Sequence, residues 1–145
     1  MKSTRFWAVV AAIILGLVLV ISGCSDKVEP VSTEGYTTLP SGLQYKIEQE
    51  GTGKSPIAWD TIVVHYEGKL MDGRVFDSSY ERDKPTTLRL SRVIEGWTEG
   101  VQMMKEGAIY HFIIPPELAY GDQSAGSLIT PNSTLKFKIE LIKVL

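Results

Sequence analysis

Apolar and polar positions alternate with period two in several short stretches. Leu43, Tyr45 and Ile47 alternate with Gln44, Lys46 and Glu48, which predicts a half-buried strand broken by Gly51 and Gly53. Residues 61–70 form a strongly β-prone run around Ile62, Val63, Val64, His65 and Tyr66. Met71-Asp72-Gly73-Arg74 predicts a turn leading into Val75-Phe76. Further strands are expected over residues 87–91 and 108–114, the latter closed by Pro115-Pro116. The last run is the clearest, with Leu135, Phe137, Ile139 and Leu141 alternating with Lys136, Lys138, Glu140 and Ile142. One stretch has a different period. Ile94, Trp97, Val101 and Met104 recur at spacings of three, four and three, one face of a helix. Lys105-Glu106-Gly107 should end that helix, with Gly107 as a left-handed cap. A short helical turn is expected after Pro116, over residues 117–119. Many strands and one helix define an α+β domain, an antiparallel sheet packed over one short helix.

The N-terminus follows neither period. Residues 8–22 are apolar or small and carry no charge, with Lys2 and Arg5 before them and Ser22-Gly23-Cys24 at their end. This is the layout of a secretory signal, and the apolar run is short for a membrane span of about 20 residues. Ile21-Ser22-Gly23-Cys24 resembles the bacterial lipoprotein lipobox, with Ile21 where leucine is usual. The resemblance implies a lipid on Cys24, the sole cysteine of the chain, and anchoring to a membrane of the bacterial cell envelope. Ser25 after Cys24 leans toward the outer membrane. Residues 25–41 are rich in Ser, Thr, Glu, Pro and Gly and read as a tether. The expected organisation is a signal peptide over residues 1–23, a lipidated N-terminus and flexible tether over 24–41, and a domain over 42–145.

A chain of 145 residues suits one ordinary domain with such an appendage. The 43% hydrophobic and 22% charged content fits a packed domain, and a net charge of −2 gives no basic footprint for nucleic acid. One cysteine excludes a disulfide framework, and two histidines leave little for a metal site. No nucleophile–base pair stands out. Asp72 and Asp77 lie across a turn and do not read as a catalytic carboxylate pair. His65 and His111 read as structural or surface residues. Tyr66, Phe76, Trp97, Tyr120 and Phe137 stand beside polar punctuation, and each alone reads as core.

The ordered motifs carry more. Val64-His65-Tyr66-Glu67-Gly68, Asp72-Gly73-Arg74-Val75-Phe76-Asp77-Ser78-Ser79, Val93-Ile94-Glu95-Gly96-Trp97, Leu118-Ala119-Tyr120-Gly121 and Thr134-Leu135-Lys136-Phe137 follow one another. Together they resemble the FKBP-type peptidyl-prolyl cis–trans isomerases over essentially the whole domain. The segments 91–99 and 129–135 are most similar to the bacterial Mip and FkpA branch.

The resemblance implies a twisted five- or six-stranded antiparallel sheet wrapped around the helix of Trp97, with a proline pocket between them. Trp97 would form the pocket floor, Tyr66, Phe76 and Phe137 its walls, and Val93 and Ile94 a rim. The Ile94 N–H and the Tyr120 hydroxyl would bond substrate carbonyls. Asp77 would lie beside Tyr66 and pair with Arg82, Ala119 would adjoin Tyr120, and Leu128 and Ile129 would belong to a loop over the pocket. Implied partners are proline-containing polypeptides, folding exported proteins among them, and macrolide inhibitors of the family. No metal or organic cofactor is implied. Lacking the helical dimerisation segment of that branch, the chain is expected to be monomeric. Thr86 stands where many relatives carry an aromatic, which implies a thinner wall. A fold of this kind could also hold unfolded chains or serve as a surface binding lipoprotein without catalysis; intact pocket aromatics favour the isomerase.

Overall fold

Strand β3 (Thr61–Leu70) organises the sheet, because every second side chain from Ile62 to Leu70 is buried. In the computed structural model, which describes residues 28–145, it joins β1 (Thr37–Thr38), β2 (Gln44–Gln49), β4 (Val75–Ser78), β5 (Thr86–Arg89), β6 (Ile109–Ile114) and β7 (Leu135–Val144). The expected signal peptide, over residues 1–23, and Cys24 lie outside the described residues. The sheet is antiparallel and seven-stranded, in the order β1-β2-β6-β7-β3-β4, and β5 pairs with β3 beside this path. No described helix is long and apolar enough to cross a membrane.

The expected strands form, with boundaries moved by one or two residues. Strand β5 starts at Thr86 and gives way at Leu90 to a tight 3₁₀ turn, Leu90–Arg92, so the strand expected over 87–91 is shorter than its apolar pattern. A second such turn, Pro116–Leu118, begins within the Pro115-Pro116 pair, one residue before the turn expected over 117–119. The sheet exceeds five or six strands through β1, whose Thr37 and Thr38 pair with Tyr45 and Gln44. The chain engages the domain earlier still, since the Val31 N–H donates to the Met71 carbonyl at 3.0 Å. The segment 28–41, read as part of a tether, therefore makes backbone contacts at two places.

Helix α1 spans Glu95–Val101 and buries Gly96, Trp97, Gly100 and Val101. It ends before Lys105-Glu106-Gly107, where the sequence placed its stop. The chain leaves the helix at Gln102; Met103 and Met104 still donate back to the Gly100 and Val101 carbonyls, and Glu106 is then captured by other elements. The Glu106 carbonyl accepts the N–H groups of Thr52 and Gly53, and its carboxylate accepts the Val144 N–H at 2.7 Å. Gly107 does adopt the left-handed conformation expected of it, with φ of 91°, but as part of this separate turn.

Two glycines set the depth of α1. A Cβ on Gly96 would stand 2.5 Å from Ile114, and one on Gly100 would stand 2.6 Å from the Phe112 ring. Both contacts are with β6, so the helix backbone rests directly on the sheet. The fully buried residues Val64, Leu90, Val101, Met104, Phe112, Leu135 and Ile139 pack in the same core.

This close approach gives a test. Gly to Ala inside a helix ordinarily gains up to about 1 kcal/mol of helix propensity. At Gly100 the added methyl meets Phe112, and overpacking a core costs about 1–3 kcal/mol. Gly100→Ala should therefore lower the urea midpoint despite the better propensity; a raised midpoint would show that the contact yields freely.

Candidate functional site

The edge of β3 is shared, and the site lies where it divides. Strand β5 pairs with Thr61 to Val64, and β4 pairs with Glu67 to Lys69. Between them the backbone of Tyr66 has no strand partner on that edge, and Ser79 supplies one. The Ser79 N–H donates to the Tyr66 carbonyl at 2.9 Å, and the Tyr66 N–H donates to Ser79 Oγ at 2.8 Å. Ser79 is fully buried, so its hydroxyl satisfies a backbone group that water cannot reach. Ser79 thus holds Tyr66 in register although the sheet opens there.

Tyr66 points toward α1. Its ring meets the Trp97 indole edge to face at 5.2 Å, and Trp97 meets Phe137 in the same way at 5.3 Å. Phe76 stands edge-on to Phe137 at 5.5 Å. These are favourable aromatic geometries, each worth about 0.5–1.5 kcal/mol beyond area burial. Gly68 admits the arrangement, since a Cβ there would lie 2.5 Å from Phe76 and 2.9 Å from Phe137.

The four rings bound a cavity of about 290 Å³ that Asp77, Val93, Ile94 and Tyr120 also line. Eight residues assigned to the site by resemblance thus converge on one concavity. Leu128 and Ile129 line an adjoining depression that shares Phe76, Asp77 and Tyr120 with the first. Their loop is held by an antiparallel bridge between Ala125 and Ile129. Ala119 packs against the core instead of lining either space. Leu88 and Arg92 line the main cavity and were not anticipated. The alternation of Leu88 with Thr87 and Arg89 was the available signal for the first. Arg92 gave none, because a 3₁₀ turn orients it. Thr86 stays on β5 with its hydroxyl 3.5 Å from Arg82 Nη2, and Leu88 forms the wall beside it.

One polar cluster adjoins the rings. The Tyr66 hydroxyl donates to Asp77 Oδ2 at 2.5 Å, Arg82 Nη1 donates to Asp77 Oδ1 at 2.5 Å, and Arg82 Nη2 donates to the Tyr66 oxygen at 3.1 Å. The guanidinium carbon also sits 5.7 Å from the Tyr66 ring centre. Burial alone would raise the Asp77 pKa, but the hydrogen bonds from Tyr66 and Arg82 outweigh it and hold the carboxyl below its ordinary value. Burial, and then the bond to Asp77, push the Tyr66 phenol up. The cluster is therefore an ionised carboxylate, a neutral phenol and a cation across the neutral range.

His65 and His111 lie apart from this site. His65 Nδ1 is 2.9 Å from Ser79 Oγ and its ring stacks on Tyr80 at 4.8 Å. His111 contacts Glu48 at 2.5 Å. Asp72 pairs with Arg74 on the β3–β4 turn, so it forms no pair with Asp77. Among the described residues no group of three or more His, Cys, Asp or Glu is arranged to hold a metal ion.

With the sheet, the helix and this cavity in place, comparison with known proteins is specific. The FKBP-type peptidyl-prolyl cis-trans isomerase profile matches residues 52–142, and the chain belongs to that family. It is 52% identical over 116 residues to a probable FKBP-type peptidyl-prolyl cis-trans isomerase FkpA of Neisseria meningitidis, covering 80% of this chain and 43% of the relative. It is 51% identical over 113 residues to the outer membrane protein MIP of Legionella longbeachae, covering 78% and 48%. The crystal structure of FkpA from Escherichia coli superposes with a TM-score of 0.73 at 47% identity, covering 77% of this chain and 52% of that one. The chain thus spans about half the length of the curated relatives it matches.

The Tyr66–Asp77 bond predicts a titration. Asp77→Asn removes the negative charge, so the Tyr66 pKa should fall toward that of an ordinary phenol. NMR titration of ring-labelled tyrosine would read it; an unmoved Tyr66 would leave burial as the sole cause.

Proposed function

We propose that this domain accelerates cis–trans rotation about X–Pro bonds of exported polypeptides, close to a membrane. The observation that carries the reading is the cavity floored by Trp97 and walled by Tyr66, Phe76 and Phe137, with an ionised Asp77 at its side. Family membership and the printed activity of the Neisseria relative support it.

The chemistry needs no nucleophile. Rotation about an X–Pro bond is slow because it breaks amide resonance, with a barrier of about 18–20 kcal/mol. The planar imide is the more dipolar form, and an apolar surround disfavours it relative to the twisted one. A prolyl ring packed on Trp97 leaves the water around its imide for an aromatic enclosure. Binding of the flanking residues supplies the free energy for that selection. The Ile94 N–H, at the start of a helix with no side-chain cap, and the Tyr120 hydroxyl hold substrate carbonyls. Asp77, kept charged and oriented by Tyr66 and Arg82, sets the field at the rotating carbonyl. Tyr66 acts as wall and positioning residue together, while Leu128 and Ile129 confine the chain beside the pocket. No cofactor enters this scheme.

The lipid anchor belongs to the same reading. Cys24 carries the lipid, the chain acts from the envelope as a monomer, and the outer-membrane name of the Legionella relative supports that location. Cys24→Ala should abolish labelling by a radioactive fatty acid and leave precursor unprocessed; normal processing with retained detergent partitioning would overturn the anchor.

A protease-coupled proline-peptide assay tests the activity. Asp77→Val keeps similar bulk and removes the charge. It should lower kcat/KM by about tenfold or more, about 1.4 kcal/mol of transition-state stabilisation, with thermal unfolding nearly unchanged. Asp77 as a solvated turn residue would leave activity within about twofold, because surface changes rarely exceed about 0.5 kcal/mol.

A further inference from the structure

The cavity continues past Val93. The same residue that forms its rim also lines a wider depression of about 700 Å³, bounded by Trp59, Glu95, Glu99 and Leu118. A chain leaving the first space over Val93 therefore enters the second directly.

Trp59 is the unusual residue there. Its surface is 68% exposed, more than any other large apolar residue described, and nearby Ile57 is 59% exposed. Single exposed apolar residues are common and ordinarily mean nothing. Trp59, however, sits on a turn that is held firmly. The Ile57 N–H donates to Asp60 Oδ2 at 2.9 Å, the Asp60 N–H returns to the Ile57 carbonyl at 3.0 Å, and the Leu90 N–H donates to the Asp60 carbonyl at 3.0 Å. The last bond ties the turn to the segment that carries Val93. The indole is thus presented on a fixed backbone at the wall of a groove, so less ordering opposes binding to it.

The charges agree on one kind of occupant. Glu95 and Glu99 line the groove, and no lysine or arginine is among its lining residues. Neither carboxylate forms an ion pair among the described residues, and Glu99 accepts only the Ser41 hydroxyl, at 2.8 Å. An exposed indole and two carboxylates lining one groove suit a cation on a long apolar stem, which is attracted to a ring face and to the acids.

We infer that this groove is a secondary subsite for the substrate polypeptide, receiving a lysine or arginine near the proline that occupies the main cavity; the inference rests on the isomerase reading of that cavity. The domain then selects basic stretches around proline. The preference weakens with salt, because the carboxylates face solvent.

Proline tetrapeptides extended on either side by two, four or six residues would test it, each carrying lysine, norleucine or glutamate at one added position. The best lysine peptide should exceed its glutamate counterpart by about fivefold or more in kcat/KM, with norleucine between. An exposed cation–π contact is typically worth up to about that factor. Trp59→Ala, and separately the double variant Glu95→Gln with Glu99→Gln, should erase the difference while the bare tetrapeptide stays within about twofold. Lysine and glutamate peptides turned over alike would overturn the subsite and leave the isomerase reading intact. An equal loss on the bare tetrapeptide in Trp59→Ala would overturn it also, by making Trp59 a support of the main cavity. Fluorescence anisotropy of the labelled lysine peptide separates the two readings. Trp59-dependent binding without turnover of any peptide would refute isomerisation alone, and Trp59-independent affinity would refute the subsite.

Discussion

The direct seating of α1 on the sheet governs the rest of the structure. A helix packs on a sheet at a distance set by the side chains between them, and Gly96 and Gly100 remove two of those side chains against Ile114 and Phe112. With the helix this deep, Trp97 reaches across to Tyr66 on β3 and Phe137 on β7. An alanine at both positions would lift the axis, and the indole could no longer complete edge-to-face contacts with both rings. The pocket floor is therefore a consequence of helix depth, and helix depth is a consequence of two absent methyl groups.

The opposite wall depends on a gap. A continuous edge strand along β3 would pair Tyr66 like its neighbours and leave no space for an approaching chain. The edge is instead divided between β5 and β4, and Ser79 closes the hydrogen-bond account of Tyr66 at the division. The loop after β4 also carries Arg82 to Asp77 and to the Tyr66 hydroxyl. One interruption of the sheet thus serves three ends. It opens the site, fixes the ring that walls it and supplies the cation that keeps the carboxylate charged.

Much of this was legible in the residues and some was not. Period-two alternation located β2 and β7, and β-prone runs located β3 and β6; β3 and β7 do bury alternate residues, whereas β2 is largely exposed, Ile47 included, and is held by its backbone pairing with β6. The spacing of Ile94, Trp97, Val101 and Met104 located α1, although Met104 is buried beyond the helix end. The end itself was misplaced, since bonds from Thr52, Gly53 and Val144 to Glu106 are distant in sequence. Strand β1 was invisible because two exposed threonines pair through backbone alone. For the site, the motifs supplied the aromatic set and its neighbours. They did not announce Leu88, Arg92 or the buried role of Ser79, whose places are set by a strand crossing, a 3₁₀ turn and a divided edge.

Asp77 raises a physical question, for a carboxylate beside an apolar pocket works against the desolvation that favours a twisted imide. The geometry reconciles the two. Both carboxylate oxygens are engaged, one by the Tyr66 hydroxyl and one by Arg82. Those donors take over part of the stabilisation that water would otherwise supply to this partly exposed carboxylate, so it depends less on a hydration shell at the mouth of the cavity. They also keep it from accepting a proton or swinging inward. A fixed negative field then stands at one side of an otherwise apolar enclosure, requiring no reorganisation as the substrate turns. A twisted carbonyl, whose carbon is no longer fed by the imide nitrogen, presents a more electrophilic face than the planar one. The proposed site therefore combines two terms of the same sign: an enclosure that disfavours the planar dipole and a held anion that favours the rotated carbon. Neither requires a bond to form, which is why a pocket without a nucleophile suffices.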